Sequence, residues 1–121
     1  MININYRDRR PIFEQVKDGF RNLIISGVLK EGERMPSVRE LASSLAINPN
    51  TIQRAYRELE AEGYICSVPG KGSFVGQRDE AAEKRKAELR EKMSETVREL
   101  RHAGIGEEEL IPLIRKEYDH D

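Results

Sequence analysis

The chain has 121 residues, of which 37% are hydrophobic, 36% charged and 6% aromatic. That balance supports one small domain with an appendage rather than a single large globule, and no apolar run approaches the roughly 20 residues that span a bilayer. No signal-peptide pattern opens the chain, and the lone Cys66 excludes an intramolecular disulfide, so the expectation is a soluble cytoplasmic protein with no membrane partner. The net charge of −1 hides an asymmetry: residues 1–78 carry 12 Lys/Arg against 9 Asp/Glu, whereas residues 79–121 carry 9 against 13. Those two segments are the expected domains.

In chain order, Ile2, Ile4 and Tyr6 alternate with polar residues, as in a short strand or an extended arm. Pro11 suits a helix start, and Ile12, Val16, Phe20, Leu23 and Ile24 give that helix an apolar stripe ending at Gly27. Val28–Pro36 is expected to be a connector that turns at Gly32 and places the next helix.

Residues 37–62 predict two short helices and a tight turn. Ser37 with Glu40 forms a capping-box pattern, and Val38, Leu41, Ala42 and Leu45 make one apolar face. Ala46 and Ile47 fall in the turn. Asn48 is a good N-cap and Pro49 suits the first helical position. Ile52, Ala55, Tyr56 and Leu59 repeat the apolar spacing, and Gly63 is placed to end the helix in a left-handed conformation. Opposite that stripe stand Asn50, Arg54 and Arg57, flanked by Thr51 and Gln53. Such side chains suit a DNA groove: amides pair with adenine, guanidinium with guanine or phosphate, and the threonine methyl meets thymine. An ordinary solvated face is the plainer alternative, and the elements that follow weigh against it.

After Gly63 the period changes to two. Tyr64, Cys66 and Val68 fall on one face and Ile65 on the other, Pro69-Gly70-Lys71-Gly72 reads as a turn, and Ser73–Val75 as the returning strand. Three helices and then a hairpin is the order of a winged helix-turn-helix, in which Lys71 at the hairpin tip would reach phosphate or the minor groove. From Asp79 to Ala103 nothing breaks a helix, a rod of roughly 37 Å at ~1.5 Å per residue. Leu89, Met93, Val97 and Leu100 form a narrow stripe suited to a helix-to-helix seam. Gly104 closes this helix, with Ile105 placed to pack back on it. A last helix opens near Glu107-Glu108-Glu109, with Leu110, Leu113, Ile114 and Tyr118 on its apolar side. Pro112 either kinks this helix or delays its start. The fold class expected is therefore mainly α with a small β-hairpin: an N-terminal winged helix-turn-helix followed by a two-helix C-terminal tail that dimerises through these two stripes.

These motifs together resemble the GntR family of transcription regulators, in its small YtrA-like subfamily. The resemblance spans nearly the whole chain. It rests on Pro36–Ala42, Asn48–Tyr56, Leu59–Tyr64 and Gly70–Val75, with Pro11–Val16 similar to the subfamily's opening helix. It implies a homodimer on an inverted-repeat operator of double-stranded DNA, commonly a repressor of its own operon, often one encoding an ABC transporter. Carried over by position, Arg39 of the first motif helix, Asn48, Asn50, Thr51 and Gln53 of the second, and Gly70 and Lys71 of the wing are expected at the DNA, and Ser37, Arg54 and Arg57 are counted with them. Pro49 and Gln53 stand where many members have arginine, so the operator sequence cannot be borrowed from other branches. Ala46 replaces the glycine usual in the motif turn.

An enzyme is disfavoured, because His102 and His120 have no partners at triad or metal spacing, and no cofactor is expected. Asp119-His120-Asp121 is read as a tail rather than a metal site, and Cys66 as a buried small apolar residue rather than a redox sensor. The remaining rival is a protein-interaction adaptor using the winged domain as a scaffold. The short tail leaves room for at most a shallow small-molecule effector site at a dimer interface.

Overall fold

The computed structural model describes residues 2–119. Five helices and one hairpin follow in the order α1 (Ile12–Ile25), α2 (Val38–Leu45), α3 (Pro49–Ala61), β1 (Ile65–Val68), β2 (Gly72–Val75), α4 (Arg78–His102) and α5 (Glu107–Asp119). The chain divides into two compact units, Met1–Glu83 and Lys84–Asp121. The division falls inside α4, because Ala81 in its first turns is buried with the first unit's core.

The first unit is built on α3, whose Ile52, Ala55 and Leu59 are fully buried and meet Val16, Phe20 and Ile24 of α1 in one cluster. These are the stripes that the 3.6-residue period predicts. The rings of Phe20 and Tyr56 pack edge to face at 5.8 Å between centroids. Residues 2–5 are an extended arm rather than a strand. Ile2 is buried against Gly19, and Gln15 holds the arm by accepting from the Asn5 N–H at 2.8 Å while donating to the Asn5 and Arg10 carbonyls.

Three helices end in one way. Gly63 at φ 86°, Gly104 at φ 87° and Ala46 at φ 55° each turn the chain left-handed. The following N–H then bonds back to the carbonyl five residues earlier: Tyr64 to Leu59, Ile105 to Leu100, Ile47 to Ala42. This is the Schellman arrangement, and at Gly63 it also buries Tyr64 against the core beside Leu59. At Ala46 it holds a left-handed residue that has a Cβ.

The hairpin pairs Ile65 with Val75, Cys66 with Phe74, Ser67 with Ser73 and Val68 with Gly72. Only the face of Ile65 and Val75 is covered, each being 3% exposed. Cys66 is exposed, contrary to the expected buried position, because a two-stranded sheet on one core has a single protected face. Tyr64 is buried as the residue that follows a helix cap, not by alternation. The connector also contributes more than placement. Met35 donates to Ser73 O and Glu33 accepts from Val75 N–H, both at 2.8 Å, and Arg34 makes a single antiparallel bridge to Phe74, so this short segment is fastened beside β2 without extending the sheet.

In the second unit, α5 begins at Glu107 and runs through Pro112, which excludes the delayed start. Its three acidic first-turn residues complement the helix dipole, as do Arg101 and His102 at the end of α4.

Candidate nucleic-acid interface

The helix-turn-helix is set by local chemistry. The Ser37 hydroxyl accepts from the Glu40 N–H at 3.0 Å, which is the hydroxyl half of the capping box, and starts α2. Asn48 Oδ1 accepts from the Asn50 N–H at 2.8 Å and starts α3, with Pro49 at its first position. The Tyr56 hydroxyl donates to Pro36 O at 2.7 Å, tying the middle of α3 to the residue before the N-cap of α2. Burial, with the Glu40 charge added, pushes the Tyr56 phenol well above its ordinary pKa, so it stays a neutral donor. That bond links α3 to the segment leading into α2. Nothing in the apolar period of Tyr56 announces it.

With one face of α3 committed to the core, the other is left to solvent. Asn50, Gln53, Arg54 and Arg57 are exposed and Thr51 is half-buried, with Arg39 exposed on α2. The wing is fastened beside them: Ser67 N–H donates to Glu60 Oε1 at 3.0 Å, and a groove lined by Gln53, Arg57, Gly70 and Gly72 runs between α3 and the hairpin. At the tip, Lys71 N–H bonds to Val68 O at 2.9 Å and Gly70 has φ 76°, as a type II turn with Pro69 leading requires. Gly70 and Lys71 are exposed.

Three carboxylates near this surface are occupied. Glu60 holds the wing. Glu58 accepts from Lys17 Nζ of α1 at 3.2 Å, and Glu62 pairs with the same ammonium. Burial would lower the Lys17 pKa, but the bonds to Glu62 and Glu58 outweigh it and raise it, so the ammonium stays charged. Glu58 also meets Arg54 Nε at 3.4 Å, and the Arg54 guanidinium lies 3.7 Å over the Phe13 ring. Arg54 is thus directed along α3 towards α1, while its side chain keeps 58% of its exposure. The exposed face carries Arg39, Arg54, Arg57 and Lys71 as its cations, Arg54 being the one paired with a carboxylate among the described residues. Lys17 and Glu60, which make that balance, were not singled out by motif or period.

The second unit gathers seven of the eight seam residues. Leu89, Met93, Val97, Leu100, Leu110, Leu113 and Ile114 line one groove of about 390 Å³ between α4 and α5. The groove is open: Met93 is 53% exposed and Leu113 57%, and α5 has no buried residue. Tyr118, 87% exposed, stands outside it. His120 and Asp121 lie outside the described residues, and among the described ones no helix is long and apolar enough to cross a membrane.

Helix-turn-helix, wing and an outward polar face on α3 together define a winged helix-turn-helix transcription regulator. Residues 12–75 match the profile described as "Bacterial regulatory proteins, gntR family". The chain belongs to that family. It is 34% identical to the HTH-type transcriptional repressor YtrA of Bacillus subtilis (strain 168), over 96% of this chain and 91% of that one. A solved structure described as a transcriptional antiterminator from Listeria monocytogenes EGD-e is 39% identical, with TM-score 0.75, covering all (100%) of this chain and 91% of the other. The DNA-binding domain of AraR, solved in complex with operator ORR3, is 27% identical with TM-score 0.54, over 61% of this chain and 89% of that one.

Proposed function

We propose that the chain binds double-stranded DNA sequence-specifically, as a homodimer on an inverted-repeat operator, and represses its own operon, one encoding an ABC transporter. The observation that carries the DNA reading is the exposed face of α3, polar and bearing Arg54 and Arg57, with Glu58, Glu60 and Glu62 beside it engaged in contacts within the fold. In this reading Asn50, Thr51 and Gln53 meet base edges in the major groove. Arg39, Arg54 and Arg57 neutralise phosphate or pair with guanine, and Lys71 with Gly70 touches the flanking groove. Ser37 and Asn48 hold the helix starts with one lone pair, and their donor groups are then free to meet backbone phosphates in this reading. The AraR operator complex and the YtrA repressor support this direction.

The tail, residues 79–121, serves dimerisation. An apolar groove this open is costly in water, and pairing two copies covers it. Paired tails set two recognition helices one DNA turn or a multiple apart. A small-molecule effector would act by shifting that spacing, a change of population between two arrangements. The experiment is a pair of variants titrated on duplexes of varied sequence and salt. Gln53→Ala changes preference at particular base pairs, while Lys71→Ala weakens every duplex and lowers the salt slope by about 1. Equal losses on all sequences for both variants contradict the assignment. Binding insensitive to both, with retained protein partners, favours the adaptor reading.

A further inference from the structure

The outer face of the wing carries a cation that no motif marked. Arg34 bridges Phe74, so the two side chains share one face of the hairpin. By the two-residue period, Gly72 and, across the sheet, Cys66 belong to that face too. It is the face opposite the buried Ile65 and Val75.

The Arg34 side chain lies across Gly72. A Cβ at that glycine would stand 3.2 Å from Arg34 Nε, tighter than ordinary contact, and 3.5 Å from its Nη2. Gly72 therefore serves two ends: it takes φ 112°, and it clears the space in which the guanidinium rests along the hairpin. The residue before it is Lys71. Arg34 is exposed and forms no ion pair among the described residues, whereas Arg10, Arg21, Arg54 and Arg85 all do. An uncompensated guanidinium, seated on a turn beside an exposed lysine, is a fork for an oxyanion.

We propose that Arg34 binds a backbone phosphate of the DNA flanking the wing, so that the wing grips the duplex with two cations, Lys71 at its tip and Arg34 on its outer face. The inference rests on the DNA-binding reading above. The contact carries no base information, since a guanidinium on phosphate positions the protein without reading sequence.

The test uses the full chain, a labelled random-sequence duplex of about 30 base pairs and fluorescence anisotropy from 50 to 200 mM salt. One lost phosphate contact lowers the salt slope by about 0.9, so that fourfold rise in salt costs Arg34→Ala about 3.5-fold less affinity than it costs the unaltered chain. Arg34→Lys keeps the original slope, and Arg34→Gln behaves as the alanine variant does. A duplex trimmed of the pairs beyond the wing removes the difference between Arg34→Ala and the unaltered chain. An unaltered slope in Arg34→Ala and Arg34→Gln overturns the inference alone, even if affinity falls, because that pattern belongs to a residue that only braces the wing. Absence of any binding by the unaltered chain at 50 mM salt overturns the DNA reading, and this inference with it.

Discussion

Ala46 is the clearest point at which the sequence sits against its own backbone. It holds φ 55° and ψ 47° at the end of α2, where Gly63 and Gly104 do the same work for α3 and α4. A left-handed L-residue costs roughly 1–2 kcal/mol. Ala46 is exposed, so removing its methyl group forfeits almost no buried area. Against the relief stands the greater freedom of glycine in the unfolded chain, about 0.4–1 kcal/mol. Ala46→Gly should therefore stabilise the protein by about 0.5–1 kcal/mol, raising Tm by about 2–5 °C for a domain of this size. The assay is thermal unfolding of both proteins at one protein concentration, since the proposed dimerisation would make Tm depend on it. DNA affinity should not change, because the Tyr56–Pro36 link between α3 and the segment before α2 is untouched. Gly104→Ala supplies the mirror test. A Cβ there meets nothing within 4 Å, yet φ is 87°, so the substitution should destabilise the tail by about 1 kcal/mol through backbone strain alone. A lower Tm for Ala46→Gly would refute the reasoning.

Three further outcomes follow from the packing. Tyr56→Phe leaves Pro36 O without its 2.7 Å partner and should cost about 1–2 kcal/mol in denaturant unfolding, with weaker DNA binding as the motif angle loosens. The raised Lys17 pKa makes its contribution fully present below the unfolded value of about 10.4 and lost as pH rises through the higher folded value. Lys17→Met should therefore flatten the alkaline end of the stability profile, and an unchanged profile above pH ~10 would remove Lys17 from that role. Met93→Lys with Leu113→Lys places charge in the tail groove and should give a monomer by sedimentation velocity at micromolar concentration, with the first unit still folded. An unaltered chain that is itself monomeric there would contradict the dimer.

What was legible in the sequence was local. Ser37, Asn48-Pro49, Gly63 and Gly104-Ile105 act within a turn of their own positions, and each sets the helix end it promises. The apolar stripes of α1 and α3 were equally plain, because one face of a helix has a fixed period. What depended on distant partners was not legible. Arg34 pairs with Phe74 forty residues on, in a segment whose Glu31, Glu33 and Arg34 show no strand alternation. Cys66 carries the composition of a core residue but stands on the unprotected face of the hairpin. Tyr118 has the spacing of its helix's apolar side and still lies outside the groove that Leu110, Leu113 and Ile114 line. At the interface, the residue types on α3 could be read directly. The pairing of Glu58 and Glu62 with Lys17, which engages two carboxylates beside those types, joins two helices and needed the fold.

The most direct test is anisotropy of the full chain against labelled DNA from upstream of its own gene, beside a scrambled duplex, at two salt concentrations. The account predicts a preference of ~10³-fold or more for the native duplex that persists at the higher salt. Weak binding, equal on both duplexes and collapsing steeply with salt, would contradict a specific operator in that DNA.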